Sequence, residues 1–250
     1  MKKQYHILNG DALKEQFPQS IEGTVIVARE CLVDGNVDGR DLTELYVSRA
    51  KYLSQNYGVA EREYYAKTVS EFQRVLDIND DSDINLWFED DLFCQVNFWF
   101  ISSLLNSTYR NNNVYLVRPE LHSQYGFGGL MQSVLISIYK NRIKLTELEK
   151  IASLWVSFQN DDTDKLIDIA QQLELVYPFI LPAVRAHIDR KPSNEQAGRP
   201  TESLKAIMRQ LGTEDFEPVF REFCKKESIY GFGDLHVKRL LEEIKTTGDI

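Results

Sequence analysis

The chain has few of the residues that form the commonest metal and redox sites. Among 250 residues it has 3 cysteines and 4 histidines, with no CxxC, HExxH or HxxxH spacing. The sequence therefore predicts no metal site. An odd number of separated cysteines is typical of free thiols in the cytoplasm. No export signal is expected, because Asn9 and Asp11 interrupt the first apolar run.

The usual nucleotide and nucleophile motifs are also missing. Neither GxGxxG, nor GxxxxGK[ST], nor GxSxG occurs, which excludes a dinucleotide fingerprint, a P-loop and a hydrolase nucleophile elbow. The run Gly126-Phe-Gly-Gly129 is either a plain loop or a set of backbone amides for an anion. Any cofactor and any catalytic activity stay open.

An excess of basic charge is lacking in both halves of the chain. Residues 1–130 have 12 Lys and Arg against 19 Asp and Glu, and residues 131–250 have 17 against 19. Direct binding to nucleic acid or to an anionic membrane is therefore not expected. Residues 92–109 have no charge, but Gln95 and Asn97 interrupt them, so they predict a buried helix rather than a membrane span.

Short β-rich runs alternate with helical patterns in the first half of the chain. Strands are predicted at 4–8, 24–28, 84–88 and 113–117. Between the second and third, Leu42, Leu45 and Tyr46 begin an apolar stripe with helical spacing. Such alternation predicts an α/β fold with a mainly parallel, short sheet and right-handed helical crossovers.

Beyond Gly129 the sequence predicts an all-helical C-terminal region. The expected helices are 130–141, 145–158, 163–175 and 179–190, followed by a polar linker at 191–200. Three short amphipathic helices then suggest a winged-helix-like module. The predicted domains are a sheet domain at 1–129, a helical cap at 130–190 and the small helical module at 191–250.

Polar residues follow each of the four predicted strands, the fourth leading into Arg118-Pro119-Glu120. Ligands of open parallel sheets bind beyond the carboxyl ends of the strands, where loops and helix N-termini meet. The predicted ligand-binding residues at these exits are Asn9, Asp11, Arg29, Glu30, Glu89, Asp91 and Gln95. The alternative is that these side chains cap turns and helices separately.

Arg49 lies on the apolar stripe of its predicted helix, so its side chain should face the sheet. An unpaired guanidinium would be costly there. Either a carboxylate such as Asp11, Glu30 or Glu89 pairs with Arg49, or Arg49 holds an anionic group of a ligand.

The segments YHILNGDAL, ARECLVDG and LWFEDDLFCQ resemble the signature of a bacterial family, the domain-of-unknown-function 1835 family, roughly HIxNGDS, WRExLxxG and ExDLxDQ. Later segments, including YPFILPAVRAHI and IYGFGDLHVKRLL, are similar to the later family blocks. The resemblance marks His6, Asn9, Gly10, Asp11, Arg29, Glu30, Gly35, Arg49, Glu89, Asp91, Gln95, Arg185, His187, Gly233 and Asp234. It also implies that Arg185 and His187 lie at the rim of the ligand-binding cleft beyond the carboxyl ends of the strands. Ala12 and Cys94 depart from the pattern, and the resemblance implies no reaction.

Together these patterns predict a small anionic ligand, phosphate- or nucleotide-like, at the carboxyl ends of the parallel strands. Magnesium held by Asp11, Glu30, Glu89 and Asp91 is compatible with this ligand, although no spacing requires it. The alternative function is regulatory, with the C-terminal helices contacting a protein of the transcription machinery. Protein contact is favoured over DNA there, because acidic residues balance the basic residues of 233–245.

Overall fold

A computed structural model describes residues 2–108, 111–193 and 196–247. Within these ranges one sheet has five strands in the order β2-β1-β3-β4-β5. The strands are β1 (Gln4–Asn9), β2 (Thr24–Ala28), β3 (Asp83–Trp87), β4 (Asn113–Val117) and β5 (Ile143–Lys144). The first four pair in parallel, and β5 pairs antiparallel with β4.

Helices connect the strands and continue to the end of the described chain. The helices are α1 (Asp11–Gln16), α2 (Leu42–Tyr57), α3 (Glu61–Tyr64), α4 (Ser70–Leu76), α5 (Leu92–Ser107), α6 (Gln132–Lys140), α7 (Leu148–Gln159), α8 (Thr163–Leu173), α9 (Ile180–Asp189), α10 (Arg199–Leu211), α11 (Phe216–Lys226) and α12 (Asp234–Thr247). A π-helical segment, Tyr65–Val69, joins α3 to α4. Short 3₁₀ turns cover Gly126–Gly129 and Ser228–Tyr230.

Both faces of the sheet are buried, as a parallel sheet requires. Successive side chains of a strand point to opposite faces. Ile7 accordingly joins the large core on one face, whereas Leu8 joins a smaller cluster with Trp87 on the other. On this second face, His6 accepts a hydrogen bond from Trp87 and contacts the Glu22 carbonyl, and burial lowers the pKa of His6 to about 4. His6 is therefore a neutral packing residue.

The α/β prediction is confirmed, with the four predicted strands within one residue of their observed bounds. The prediction of an all-helical region beyond Gly129 was wrong at β5, which lies between α6 and α7. This strand has two exposed residues, so it has no alternating apolar pattern by which the sequence could reveal it. Only its backbone pairing with β4 defines it.

The three predicted C-terminal helices correspond to α10, α11 and α12. The predicted linker is shorter than expected because α10 begins at Arg199, with Pro200 in its first turn. In residues 191–193 and 196–247, the only β-pairing is an isolated bridge between Ser193 and Gln196, so the described part contains no wing ladder. The three-domain division stays a prediction, and apolar side chains from all three segments share one core.

No helix in the described ranges is long and apolar enough to cross a membrane. The apolar helix α5 has 16 residues and is buried almost throughout. It packs between the sheet and α7, with Trp155 against Phe100 at 4.9 Å between ring centroids.

Candidate functional site at the carboxyl ends of β1 and β3

The order of the strands creates a crevice between β1 and β3. The chain leaves β1 for β2 on one side and later returns to β3 on the other side. Loops after neighbouring strands diverge at such a switch point, and ligands of open α/β sheets bind in the resulting crevice. Asn9 is the last residue of β1, and Glu89 and Asp91 follow β3. Three of the predicted site residues therefore lie at this crevice.

A cavity of about 330 Å³ opens at this place. It is lined by Asn9, Glu89, Asp91, Phe93, Cys94, Ser123, Gln124, Tyr125, Gly126, Phe220, Phe223, Cys224, Glu227, Ser228, Gly231 and Phe232. The sheet contributes one side, and the β4–α6 loop with α11 and the segment before α12 contribute the other. We call this space the switch-point cavity.

Glu89, Asp91 and Cys94 form the floor of the switch-point cavity. Asp91 caps α5, since its Oδ1 accepts a hydrogen bond from the Cys94 amide at 2.9 Å. The Cys94 thiol donates to Glu89 Oε2 at 3.0 Å, and the Phe127 amide donates to Glu89 Oε1. One ligand atom from each of these three residues lies within 4.8 Å of the other two.

Burial makes ionisation of Asp91 and Cys94 unfavourable. It raises the pKa of Asp91 to about 7, and the neighbouring Glu89 charge adds to that effect. Burial, followed by the charges of Asp91 and Glu89, also raises the pKa of the Cys94 thiol well above its usual value. The lining residues include no Lys, Arg or His. The acidic floor therefore has no basic side chain in the cavity lining to balance it.

Two glycines allow the loops to approach the floor. Gly126 and Gly231 have φ angles of +49° and +62°, in the left-handed region. A β-carbon at Gly126 would overlap the Glu89 carboxylate, and one at Gly231 would overlap that of Asp91. A side chain at either position would therefore displace a carboxylate.

Side-chain amides form hydrogen bonds with the floor residues. The Asn9 side chain donates to Cys94 Sγ at 2.8 Å, and its amide oxygen, Oδ1, accepts from Asn97 at 2.9 Å. Gln95 is fully buried and donates to the Glu89 backbone carbonyl at 2.7 Å. These contacts fix the backbone around Glu89 and orient Cys94.

Glu30 and Arg49 form a second group beside the cavity. Arg49 donates from Nε and Nη2 to the two oxygens of Glu30 at 2.9 and 3.0 Å. The two side chains are 0% and 1% exposed. Burial opposes the charge of Arg49, but the Glu30 carboxylate outweighs it and raises the pKa of Arg49. Arg49 was predicted either to pair with a carboxylate or to hold an anionic ligand, and in the structure it pairs with the Glu30 carboxylate.

The same group extends to the C-terminal helix through Asp34. Arg239 of α12 donates to both Asp34 oxygens at 2.5 and 2.6 Å, and Tyr52 donates to Asp34 at 2.9 Å. The Asp34 backbone carbonyl accepts from Arg49 at 2.6 Å. Burial alone would raise the pKa of Asp34, but Arg239 and the other donors lower it below its usual value. Sequence reasoning missed Asp34 and Arg239 as partners because they lie 205 positions apart.

Asp11 and Arg29 form a third, more exposed group. Their ion pair has a distance of 2.6 Å, and Arg29 also contacts Glu71 at 3.4 Å. They line an open surface depression with Lys67 and Ser70, not the switch-point cavity. The predicted residues are therefore distributed among three neighbouring groups.

His187 lies away from these groups, on α9. It is buried against Phe158 at 4.7 Å between ring centroids and accepts from Arg190 at 3.2 Å. Burial and the neighbouring cations lower the pKa of His187 to about 2. Arg185 is exposed on the same helix. His187 does not line the switch-point cavity, so the placement at the rim receives no support from these contacts.

Cys94 is the functional candidate that sequence reasoning did not select. The sequence contains Glu89-x-Asp91-x-x-Cys94, but the sequence reasoning considered His and Cys spacings for zinc and carboxylates alone for magnesium, and never a thiol together with carboxylates. The start of α5 could have revealed Cys94 from the sequence. Asp91 is the N-cap residue and Cys94 is the third helical residue, and these two positions of a helix face each other.

The fold and the cavity define the class of this chain: an α/β protein with an acidic, small-molecule-sized cavity at the switch point of its sheet. No protein-family model matches the chain, and no curated protein matches it either. The resemblance to the domain-of-unknown-function 1835 family accordingly stays a prediction.

Proposed function

We propose that the chain binds a small anionic ligand, phosphate- or nucleotide-like, in the switch-point cavity through a divalent cation. Glu89, Asp91 and Cys94 hold the cation. The observation that carries this proposal is the approach of their three ligand atoms to within 4.8 Å at a cavity of about 330 Å³. Catalytic residues are not assigned.

The charge of the lining explains why a cation is needed. Glu89 and Asp91 are acidic, Glu227 is paired with Arg199 from outside the lining, and no lining side chain is basic. An anion bound directly would be repelled in a partly buried space, where charges interact more strongly than in water. A divalent ion replaces the protons of the floor and leaves coordination positions for an oxygen of the ligand.

The donor set favours Zn²⁺ or Mn²⁺ over Mg²⁺. Zinc accepts thiolate and carboxylate ligands, and manganese accepts carboxylates, whereas magnesium prefers oxygen ligands and retained water. The hydrogen bond from Asn9 to Cys94 Sγ would orient the sulfur toward the ion and stabilise its thiolate.

Metal titration of chelator-treated protein tests the proposal. One ion per chain should bind, with release of protons and a rise in Tm of about 5–10 °C at a free concentration one hundred times Kd. Cys94→Ser and Glu89→Gln should weaken Zn²⁺ binding at least about tenfold, because each removes one ligand.

Cys224→Ser is the matched control, since Cys224 lines the same cavity outside the three-residue cluster. It should leave metal affinity unchanged. Absence of a Tm shift with every divalent ion, or equal losses in Cys94→Ser and Cys224→Ser, would contradict the proposal.

The regulatory alternative and the cytoplasmic location stay predictions from the sequence. Phe220, Cys224 and Glu227 of the C-terminal region line the cavity. This contact supports a role of that region in ligand binding and carries no argument about a protein partner.

A further inference from the structure

The wall of the switch-point cavity opposite its acidic floor is aromatic. Phe220 and Phe223 come from α11, and Phe232 comes from the segment before α12. The Phe223 and Phe232 rings are stacked, with centroids 6.5 Å apart and planes inclined by 18°. Phe223 and Phe232 are buried, whereas Phe220 and Phe93 are partly exposed. Two partly exposed rings at a cavity offer apolar surface to a ligand.

We propose that the ligand is a nucleoside monophosphate, with its phosphate on the cation and its base against the aromatic wall. The inference rests on the proposed function and narrows it to one class of ligand. An inorganic phosphate would occupy only the floor and leave the exposed parts of Phe93 and Phe220 in contact with water.

The aromatic wall favours a flat ring over other apolar groups. One face of Phe220 is covered by Phe216, whose ring is stacked at 5.2 Å with planes inclined by 12°. A planar base extends such a stack with favourable dispersion, and every base has a face for it. Gln124 and Ser228 also line the cavity, and their donors and acceptors can pair with the edge of a base.

The charge and volume of the cavity favour a single phosphate. Arg199 lies 2.9 Å from Glu227 and compensates that carboxylate, so the cation has to balance Glu89, Asp91 and the ligand. Each further phosphate adds negative charge to a lining without Lys, Arg or His. A cavity of about 330 Å³ is at the small end of ligand sites, which excludes a dinucleotide.

Calorimetry on the Mn²⁺-loaded full chain tests this ligand class with AMP, ATP and inorganic phosphate as probes. AMP should bind at least about fivefold more tightly than phosphate, as stacking of one base contributes. AMP should also bind more tightly than ATP. Phe220→Leu should weaken AMP binding by a similar factor and leave the affinities for Mn²⁺ and phosphate unchanged.

Phe216→Leu is the matched control, because Phe216 is on the same helix but does not line the cavity. It should change AMP affinity less than Phe220→Leu does. Equal affinities for AMP and phosphate, or tighter binding of ATP, would overturn the ligand class while Mn²⁺ binding upheld the proposed function. Failure of the wild-type chain to bind Mn²⁺, Zn²⁺ or Mg²⁺ would overturn both.

Discussion

Two clusters of acidic side chains lie side by side at the carboxyl edge of the sheet, and they differ in whether basic side chains balance the acidic charge. In the first cluster, Glu30 pairs with Arg49, and Asp34 pairs with Arg239. In the second cluster, Glu89, Asp91 and Cys94 face one another and no basic side chain lines their cavity. A buried charge that has its partner serves the fold, whereas an acidic group without one is suited to a ligand.

The two clusters are physically connected through one side chain. Asn97 donates at 2.9 Å to the side-chain Oδ1 of Asn9, which itself donates to Cys94 of the acidic cluster, and at 2.6 Å to the backbone carbonyl of Glu30 in the paired cluster. The paired cluster thereby holds the backbone on which the acidic cluster rests. Rigid support of this kind keeps ligand atoms in place before a ligand arrives.

Breaking the paired cluster should have the largest effect. Arg49→Ala leaves Glu30 buried with only its Tyr64 and backbone hydrogen bonds, so we expect a loss of about 3–5 kcal/mol in the free energy of unfolding. Urea denaturation measures this change, and adding Glu30→Gln should recover part of it. Arg40→Ala, at an exposed pair with Glu44, is the control and should change stability far less, because solvent screens an exposed ion pair. Similar losses in both variants would contradict a structural role for the buried pair.

Neutralising Asp91 in the acidic cluster should raise the free energy of unfolding, whereas breaking the paired cluster lowers it. Because the pKa of Asp91 is raised to about 7, its protonated form stabilises the metal-free fold fully below pH 4, and this contribution is lost as pH rises through 7. Asp91→Asn keeps a cap acceptor without the charge, so its stability relative to wild type should increase by about 4 kcal/mol between pH 4 and pH 8. Unfolding in the presence of chelator at several pH values measures this difference.

A matched cap provides the control for Asp91. Asp162 caps α8 in the same way, with its carboxylate accepting from Lys165 N at 3.1 Å, but it is exposed. Asp162→Asn should therefore show no comparable increase with pH. If the stability difference between Asp91→Asn and wild type did not change between pH 4 and pH 8, the acidic cluster would not differ from the paired cluster in this respect.

The exposed ion pair of Asp11 and Arg29 should have the smallest effect. Their side chains are 53% and 22% exposed, so Asp11→Asn should cost less than about 1 kcal/mol and should leave metal affinity unchanged. Thermal denaturation and metal titration of this variant check both expectations. A tenfold loss of metal affinity would show that the third group belongs to the same site after all.

The fold was more predictable than the site because strand and helix patterns are local. Four strands and the C-terminal helices follow from apolar periodicity, and β5 was missed because two exposed residues have no period. For the site, the strand exits pointed to the correct edge of the sheet and included Glu89 and Asp91. They could not separate Asp11 from the cavity, since a parallel sheet fixes the edge at which loops leave but not the direction of each loop.

By itself, the sequence determined the alternation of strands and helices, the edge where polar residues gather, and the need of Arg49 for an anionic partner. Each of these follows from neighbouring residues and from the cost of an unpaired buried charge. Only the tertiary structure decided that Glu30 is the partner and that Arg239 reaches Asp34. It also placed aromatic rings from α11 opposite Glu89 and Cys94. These contacts join distant parts of the chain through packing, which depends on the shape of the whole core rather than on any local pattern.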